Sequence, residues 1–244
     1  IDTGLHNVSV GSRALQADVK GNYSTAIGKN ALTTQSFSTA TDAYNTAVGS
    51  QSMSENTTGV QNAAFGGYAL DANTTGDFNT AVGMHSLGAN TTADNNTAVG
   101  KAALTANTTG AGNTAVGSAC LEANTTGANN VAVGIVCLAA NTEGNSNVAI
   151  GVQALDANTT ADNNVAIGLN ALGANTTGDK NVAVGQSALP TSTTAVHNVA
   201  IGQACMEACT TGSNNVAIGR IALLSNTSAA NNTAIGANSM KDCT

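Results

Sequence analysis

A five-residue string returns along the whole chain: Asn, then Thr or Val, then Ala, then Val or Ile, then Gly, with few departures. Its Gly falls at Gly11, Gly28, Gly49, Gly66, Gly83, Gly100, Gly117, Gly134, Gly151, Gly168, Gly185, Gly202, Gly219 and Gly236. The first interval is 17 residues, the second is 21, and the next eleven are all 17. These 14 glycines are more than half of the 27 in the chain, so the pattern is not a by-product of composition. Other columns keep the same phase. Four residues after the Gly comes Leu or Met in every repeat, from Leu15 to Met240. Three after it comes Ala, Ser or Cys, and eight after it comes Thr in all twelve repeats from Thr57 to Thr244. A short fixed period of this kind means one small unit laid on the next, each too small to bury its own core.

The unit is too short for a helical hairpin, which takes about 33 residues or more. Around the anchor Gly the apolar residues alternate and are β-branched, which is strand spacing. The Asn-Thr-Thr-Gly segment is turn chemistry, because Asn tolerates the left-handed region and Gly supplies positive φ. Two short strands and two turns per coil are therefore expected, stacked in parallel. The fold class this implies is all-β, a parallel β-solenoid of 14 coils, which at about 4.8 Å per coil makes a rod of about 65 Å. Residues 1–48 form N-terminal coils with an irregular insertion at 35–44, and 49–244 form the regular repeats of one continuous rod.

Each coil is expected to bury one β-branched residue and one Leu. The first column is Val48, Val82, Val99, Val116, Val133, Ile150, Ile167, Val184, Ile201 and Ile218. The second is Leu70, Leu87, Leu104, Leu121, Leu138, Leu155, Leu172 and Leu189. Each such side chain contributes about 1.5–3 kcal/mol in gross transfer terms. The Ala columns are small because the walls of so narrow a coil approach closely. Asn79, Asn96, Asn113, Asn130, Asn147, Asn164, Asn181 and Asn198 form a further column. It is expected to be a structural amide ladder, each side chain bonding its neighbour one coil away.

Composition removes several functions. Charged residues are 9%, aromatics 2%, Trp is absent and Pro190 stands alone, which leaves too few large side chains for an enzyme-like globule. Seven cations against 14 anions, a net charge of −7, cannot neutralise a run of phosphates, so neither nucleic acid nor an anionic membrane surface is an expected partner. The longest apolar stretch, Val131 to Ala140, is too short to span a bilayer. The chain opens at Ile1 without Met and stops at Thr244 in mid-coil, which reads as a processed product or a segment that continues or polymerises head to tail.

No constellation for catalysis, metal or cofactor binding emerges. His6, His85 and His197 are placed in separate phases of the repeat and are not expected to converge. Asp77, Asp94, Asp162 and Asp179 share a column eleven after the Gly, and are read as solvated turn charges in preference to weak cation ligands. Cys120, Cys137 and Cys205 sit in the small-residue column, while Cys209 and Cys243 replace an Asn. A Cys120–Cys137 bond has the right reach but awkward vectors, so buried thiols are expected. Asn-Thr-Thr sequons recur at Asn56, Asn73, Asn90, Asn107, Asn124, Asn158 and Asn175, with Asn226 beside them, and are read as turn chemistry. Phe37, Phe65, Phe78, Tyr23, Tyr44 and Tyr68 cluster in the first 80 residues, as a cap, a binding patch or a neighbour contact.

Asn-Val-Ala-Ile-Gly followed by Ala-Leu, as in Asn147 to Leu155 and Asn164 to Leu172, resembles the head repeat of YadA-like trimeric autotransporter adhesins. The longer form with Asn-Thr-Thr-Gly, as in Asn107 to Gly110, is similar to repeats of phage tail-fibre-like and bacterial surface proteins. The resemblance implies a left-handed β-roll, three chains side by side, and an extracellular or virion-surface location. The typical adhesin repeat is nearer 14 residues, so the 17-residue coil carries an enlarged turn. The expected function is a structural and adhesive fibre segment, an adhesin head or a tail-fibre-like shaft. It is expected to self-associate as a homotrimer or a head-to-tail filament, and the sequence names no host or cell-surface receptor. The alternative is an ice-binding solenoid using its Thr column, although adjacent Thr residues in an extended strand point to opposite faces.

Overall fold

The computed structural model describes residues 4–242, so expectations resting on Ile1, Cys243 and Thr244 lie outside the described residues. No described residue is helical, and the chain is a parallel β-solenoid. It divides into two compact units after Thr126. In the first, Val8–Val10, Thr25–Ile27, Thr46–Val48, Ala63–Phe65, Thr80–Val82, Thr97–Val99 and Thr114–Val116 pair successively in parallel. In the second, Val131–Val133, Val148–Ile150, Val165–Ile167, Val182–Val184, Val199–Ile201, Val216–Ile218 and Thr233–Ile235 do the same. Register follows the period, so that Ala149 stands opposite Ala166 and Ile150 opposite Ile167. The four extra residues before Tyr44 leave the main ladder intact. They add a two-residue pair, Gly21–Asn22 with Thr41–Asp42, and bury Phe37.

Each regular coil carries one strand, where two were expected. The second wall is still tied to the next coil, for instance by Leu70 N–H to the Ser86 carbonyl at 2.9 Å and Thr74 N–H to the Thr91 carbonyl at 2.8 Å. It is too kinked for a strand because left-handed residues interrupt it. The residues two and four after the anchor Gly have positive φ, as does the residue twelve after it. The Asn and Gly of Asn-Thr-Thr-Gly, expected to supply this conformation, do not adopt it.

The core is Ala and Leu. The central Ala of each three-residue strand is buried, from Ala26 to Ala234, and so is the Leu or Met column from Leu32 to Leu223. The Leu and Met residues of that column have φ of 49–55°. An L-residue there loses about 1–2 kcal/mol, and burial of the side chain returns about 1.5–3 kcal/mol. The conformation therefore persists because packing over-determines it. The β-branched column is the main correction to the sequence reading. Val48, Val99, Val133 and Val184 are only half-buried, and Val82, Val116, Ile150, Ile167, Ile201 and Ile218 are 36–38% exposed. In a strand of three residues the centre faces one way and its neighbours the other. The wall spacing admits only a methyl, so Ala takes the inside and Val or Ile the outside.

The anchor glycines close the coil. A Cβ on Gly168 would lie 2.6 Å from the Gly185 carbonyl oxygen, at a φ of +128° that side chains rarely adopt. Two buried Asn columns hold the coils in register, by different bonds. Along the Asn79 column the Oδ1 accepts a backbone N–H, as from Asn164 to Asn147 at 2.9 Å. The Nδ2 donates to a backbone carbonyl, as from Asn147 to Ala161 at 2.8 Å. The expected amide-to-amide rungs occur in part of this column, as from Asn147 Nδ2 to Asn130 Oδ1 at 3.2 Å. They run more regularly along the turn column, as from Asn73 Nδ2 to Asn56 Oδ1 at 2.7 Å, beside a bond from the same Nδ2 to the Gly76 carbonyl.

Candidate interaction surface

With the interior filled by Ala, Leu and Asn, any chemistry must come from the outward columns. The first sits on the strand and the residue just past the anchor Gly. In the second unit it presents Ile135, Ile150, Val152, Ile167, Leu169, Ile201 and Ile218, with Ile135 56% exposed. The Val-Ala-Ile strand dictates this, because the one inward position is occupied by Ala. The result is a ridge of aliphatic side chains, widest in the coils of Gly134, Gly151 and Gly168; further along, exposed Gln186, Gln203 and Arg220 take the position just past the Gly.

The Thr columns divide the labour. The inner Thr, eight after the Gly, spends its hydroxyl on the next coil, as from Thr74 Oγ1 to the Thr91 carbonyl at 2.9 Å and from Thr142 Oγ1 to the Thr159 carbonyl at 3.1 Å. Its neighbour is exposed at Thr58, Thr75, Thr92 and Thr109. The Asp column is likewise bonded within the fold. Asp94 Oδ1 accepts the Asp77 N–H at 2.7 Å, and Asp179 Oδ1 accepts the Asp162 N–H at 2.8 Å. Among the described residues no group of three or more His, Cys, Asp or Glu side chains is placed to hold a metal ion.

His6 and His197 occupy the same phase, directly before the Asn that precedes the strand, so the histidines take two phases and not three. His6 stacks on Tyr23 and Tyr23 on Tyr44, each pair of centroids 5.0 Å apart, and Tyr68 stacks on His85 in the same way. Both faces of Tyr23 are thereby covered, and the stack offers ring edges to solvent. The three residues have left-handed φ of 60°, 60° and 49°, set by the coil, which is what brings their rings into one column. A repeat-phase alignment of the aromatics reveals this stack, and a count along the chain does not.

Cys120, Cys137, Cys205 and Cys209 are all buried. Cys137 donates to the Ala149 carbonyl and Cys205 to the Ala217 carbonyl, replacing a Ser hydroxyl of the same column. Burial pushes the Cys205 thiol up to about 11, with the backbone hydrogen bond opposing it. Burial also raises Cys209. The sequon asparagines are all buried, from Asn56 to Asn226, with their Nδ2 atoms bonded inside the turn. No helix among the described residues is long and apolar enough to cross a membrane.

No family model, curated protein or solved structure matches this chain. The likeness to adhesin-head repeats therefore rests on the repeat residues alone.

Proposed function

We propose that the chain is a structural and adhesive segment of an extracellular or virion-surface fibre, assembled from several copies of itself. The observation that carries this reading is the aliphatic ridge. A chain with 9% charged residues already has its interior filled by Ala and Leu, yet it sets a Val or Ile outward in nearly every coil. A contiguous apolar patch of more than about 300–600 Å² is unusual on a lone soluble protein and marks an interface. Along the second unit, aliphatic side chains 36–56% exposed recur in the coils of Gly134, Gly151, Gly168, Gly202 and Gly219, which suits side-by-side packing of identical chains in register. The resemblance to trimeric adhesin heads adds the expectation of three chains.

The test is the mass of the particle in solution. Light scattering after size exclusion is expected to give a multiple of 23.8 kDa, and Ile135→Lys with Leu169→Lys is expected to reduce it to the single-chain value with the β-sheet circular dichroism retained. A wild-type monomer at high concentration refutes the reading. Electron micrographs distinguish a discrete bundle from a head-to-tail filament. The ice-binding alternative is left with one exposed Thr column, because the inner hydroxyls are spent on the backbone. A thermal hysteresis near zero removes it.

A further inference from the structure

In the first unit the repeat breaks its own consensus along one edge, and a cleft of about 150 Å³ opens there. Arg13, Asn30 and Gln51 line it from three successive coils. All three are second after the anchor Gly, with left-handed φ of 61°, 58° and 59°, so the coil places them one above another. Thr33, Thr34, Ser54 and Glu55 supply the rest of the lining. In the regular coils the position six after the Gly is Ala, from Ala72 through Ala174, but here it is Thr34 and Glu55. The second-after-Gly position varies along the chain, from Ala102, Ala119 and Val136 to Gln153 and Asn170, and carries an Arg at Arg13 alone. The lining is thus wholly polar, and at the position six after the Gly it departs from the Ala of the regular coils.

The polar groups are not consumed by one another. Among the described residues, neither the Arg13 guanidinium nor the Glu55 carboxylate has a hydrogen-bond or ion-pair partner. Asn30 Oδ1 is buried and unpartnered, which is costly unless a donor arrives. Thr34 Oγ1 donates to the Ser54 carbonyl at 2.7 Å, which leaves its oxygen free to accept. The lining holds one planar guanidinium, two amides, three hydroxyls and one carboxylate, with no aromatic ring. The guanidinium fits a carboxylate through paired N–H donors. The amides and Glu55 suit vicinal hydroxyls, which both donate and accept. A single carboxylate is too few for a hard divalent cation, and Glu55 repels a multiply charged phosphate. The volume is that of about five waters, the scale of one small ring.

We propose that this cleft binds one carboxylate-bearing sugar at the end of a glycan. Arg13 takes the sugar carboxylate, and Asn30, Gln51 and Glu55 take the ring hydroxyls. This deepens the adhesive reading by giving it a ligand class, and it rests on that reading only for where the sugar is met. The 244-residue chain is titrated with glucuronate, its methyl glycoside, glucose and inorganic phosphate, by calorimetry and saturation-transfer NMR. Arg13→Ala and Glu55→Ala are compared with Arg220→Ala from the second unit. Both cleft variants move toward residues that the regular coils already carry, so the fold tolerates them. Expected are millimolar binding of glucuronate and its glycoside, about tenfold weaker binding of glucose, a loss of about tenfold in Arg13→Ala, and no change in Arg220→Ala. The proposal is overturned by no binding of glucuronate, by equal binding of glucose or phosphate, by loss of the glycoside, or by an unaffected Arg13→Ala. Each of those outcomes leaves the solution mass, and so the self-association reading, untouched.

Discussion

Gly66 and Gly67 are consecutive, yet the structure assigns them opposite fates on substitution by Ala. Gly66 has a φ of +145°, and its Cβ would meet the Gly83 carbonyl oxygen at 2.6 Å and carbon at 2.7 Å. Both contacts are with backbone, which cannot swing aside. The φ itself costs about 1–3 kcal/mol for a residue with a side chain, and forcing a methyl against packed backbone adds about 1–3 kcal/mol. Gly66→Ala is therefore expected to lose about 2–6 kcal/mol. Gly67 has no left-handed φ and only the Ser50 carbonyl oxygen at 3.8 Å, in a column where Met84 and Lys101 stand further along. Gly67→Ala is expected to change stability by less than about 1 kcal/mol, toward stabilisation, because it stiffens the unfolded chain. Guanidinium denaturation followed by circular dichroism gives the two midpoints. Hydrogen exchange shows whether the damage is confined to coils beside Gly66, as nearest-neighbour stability requires. Equal midpoints for the two variants refute the claim that the anchor glycines are kept for coil-to-coil approach.

The turn ladder is interrupted where Ser192 replaces Asn, leaving Ser192 Oγ and Asn175 Oδ1 buried without partners. Ser192→Asn restores the amide donor and is expected to stabilise by about 1–3 kcal/mol; an unchanged denaturation midpoint contradicts it. Burial, with the like charge of Glu55 as a lesser contribution, raises the Asp71 carboxyl above its ordinary 3.8, against lowering by a backbone hydrogen bond and His85. A raised carboxyl favours the fold below pH 3.8 and loses that contribution as pH climbs through the folded-state value. Asp71→Asn is accordingly expected to melt slightly higher than the parent at pH 7 and to match it at pH 3. Cys205 and Cys209 are expected to resist thiol reagents in the native chain at pH 8 and to react promptly in guanidinium, as mass spectrometry of the labelled chain reports. Fast native labelling means that the thiol column is open to solvent.

The parallel stack was legible in the sequence because the Gly and Leu columns never lose phase. The direction of Val82 or Ile150 was harder to read. Hydrophobicity alone sends the larger aliphatic inward, and only the distance between the walls reverses this in favour of Ala81 and Ala149. The strand count failed at the Leu wall for a related reason. Leu155 looks like a strand residue by type, but it sits at φ 55° because of what surrounds it. The cleft beside Arg13 left a trace that period alignment makes visible, the loss of Ala at Thr34 and Glu55. Its vacant acceptor on Asn30 depends on side-chain geometry and has no counterpart in the string of letters.

The buried sequon asparagines bear on how this chain can be made. Oligosaccharyltransferase acts on an extended, accessible amide, whereas Asn107 Nδ2 is bonded to both Asn90 Oδ1 and the Gly110 carbonyl once its coil is wound. In a eukaryotic secretory pathway, winding would race against sugar attachment at each turn, and one attached glycan would leave that rung unable to close. A production host without such a transferase spares the ladder this competition.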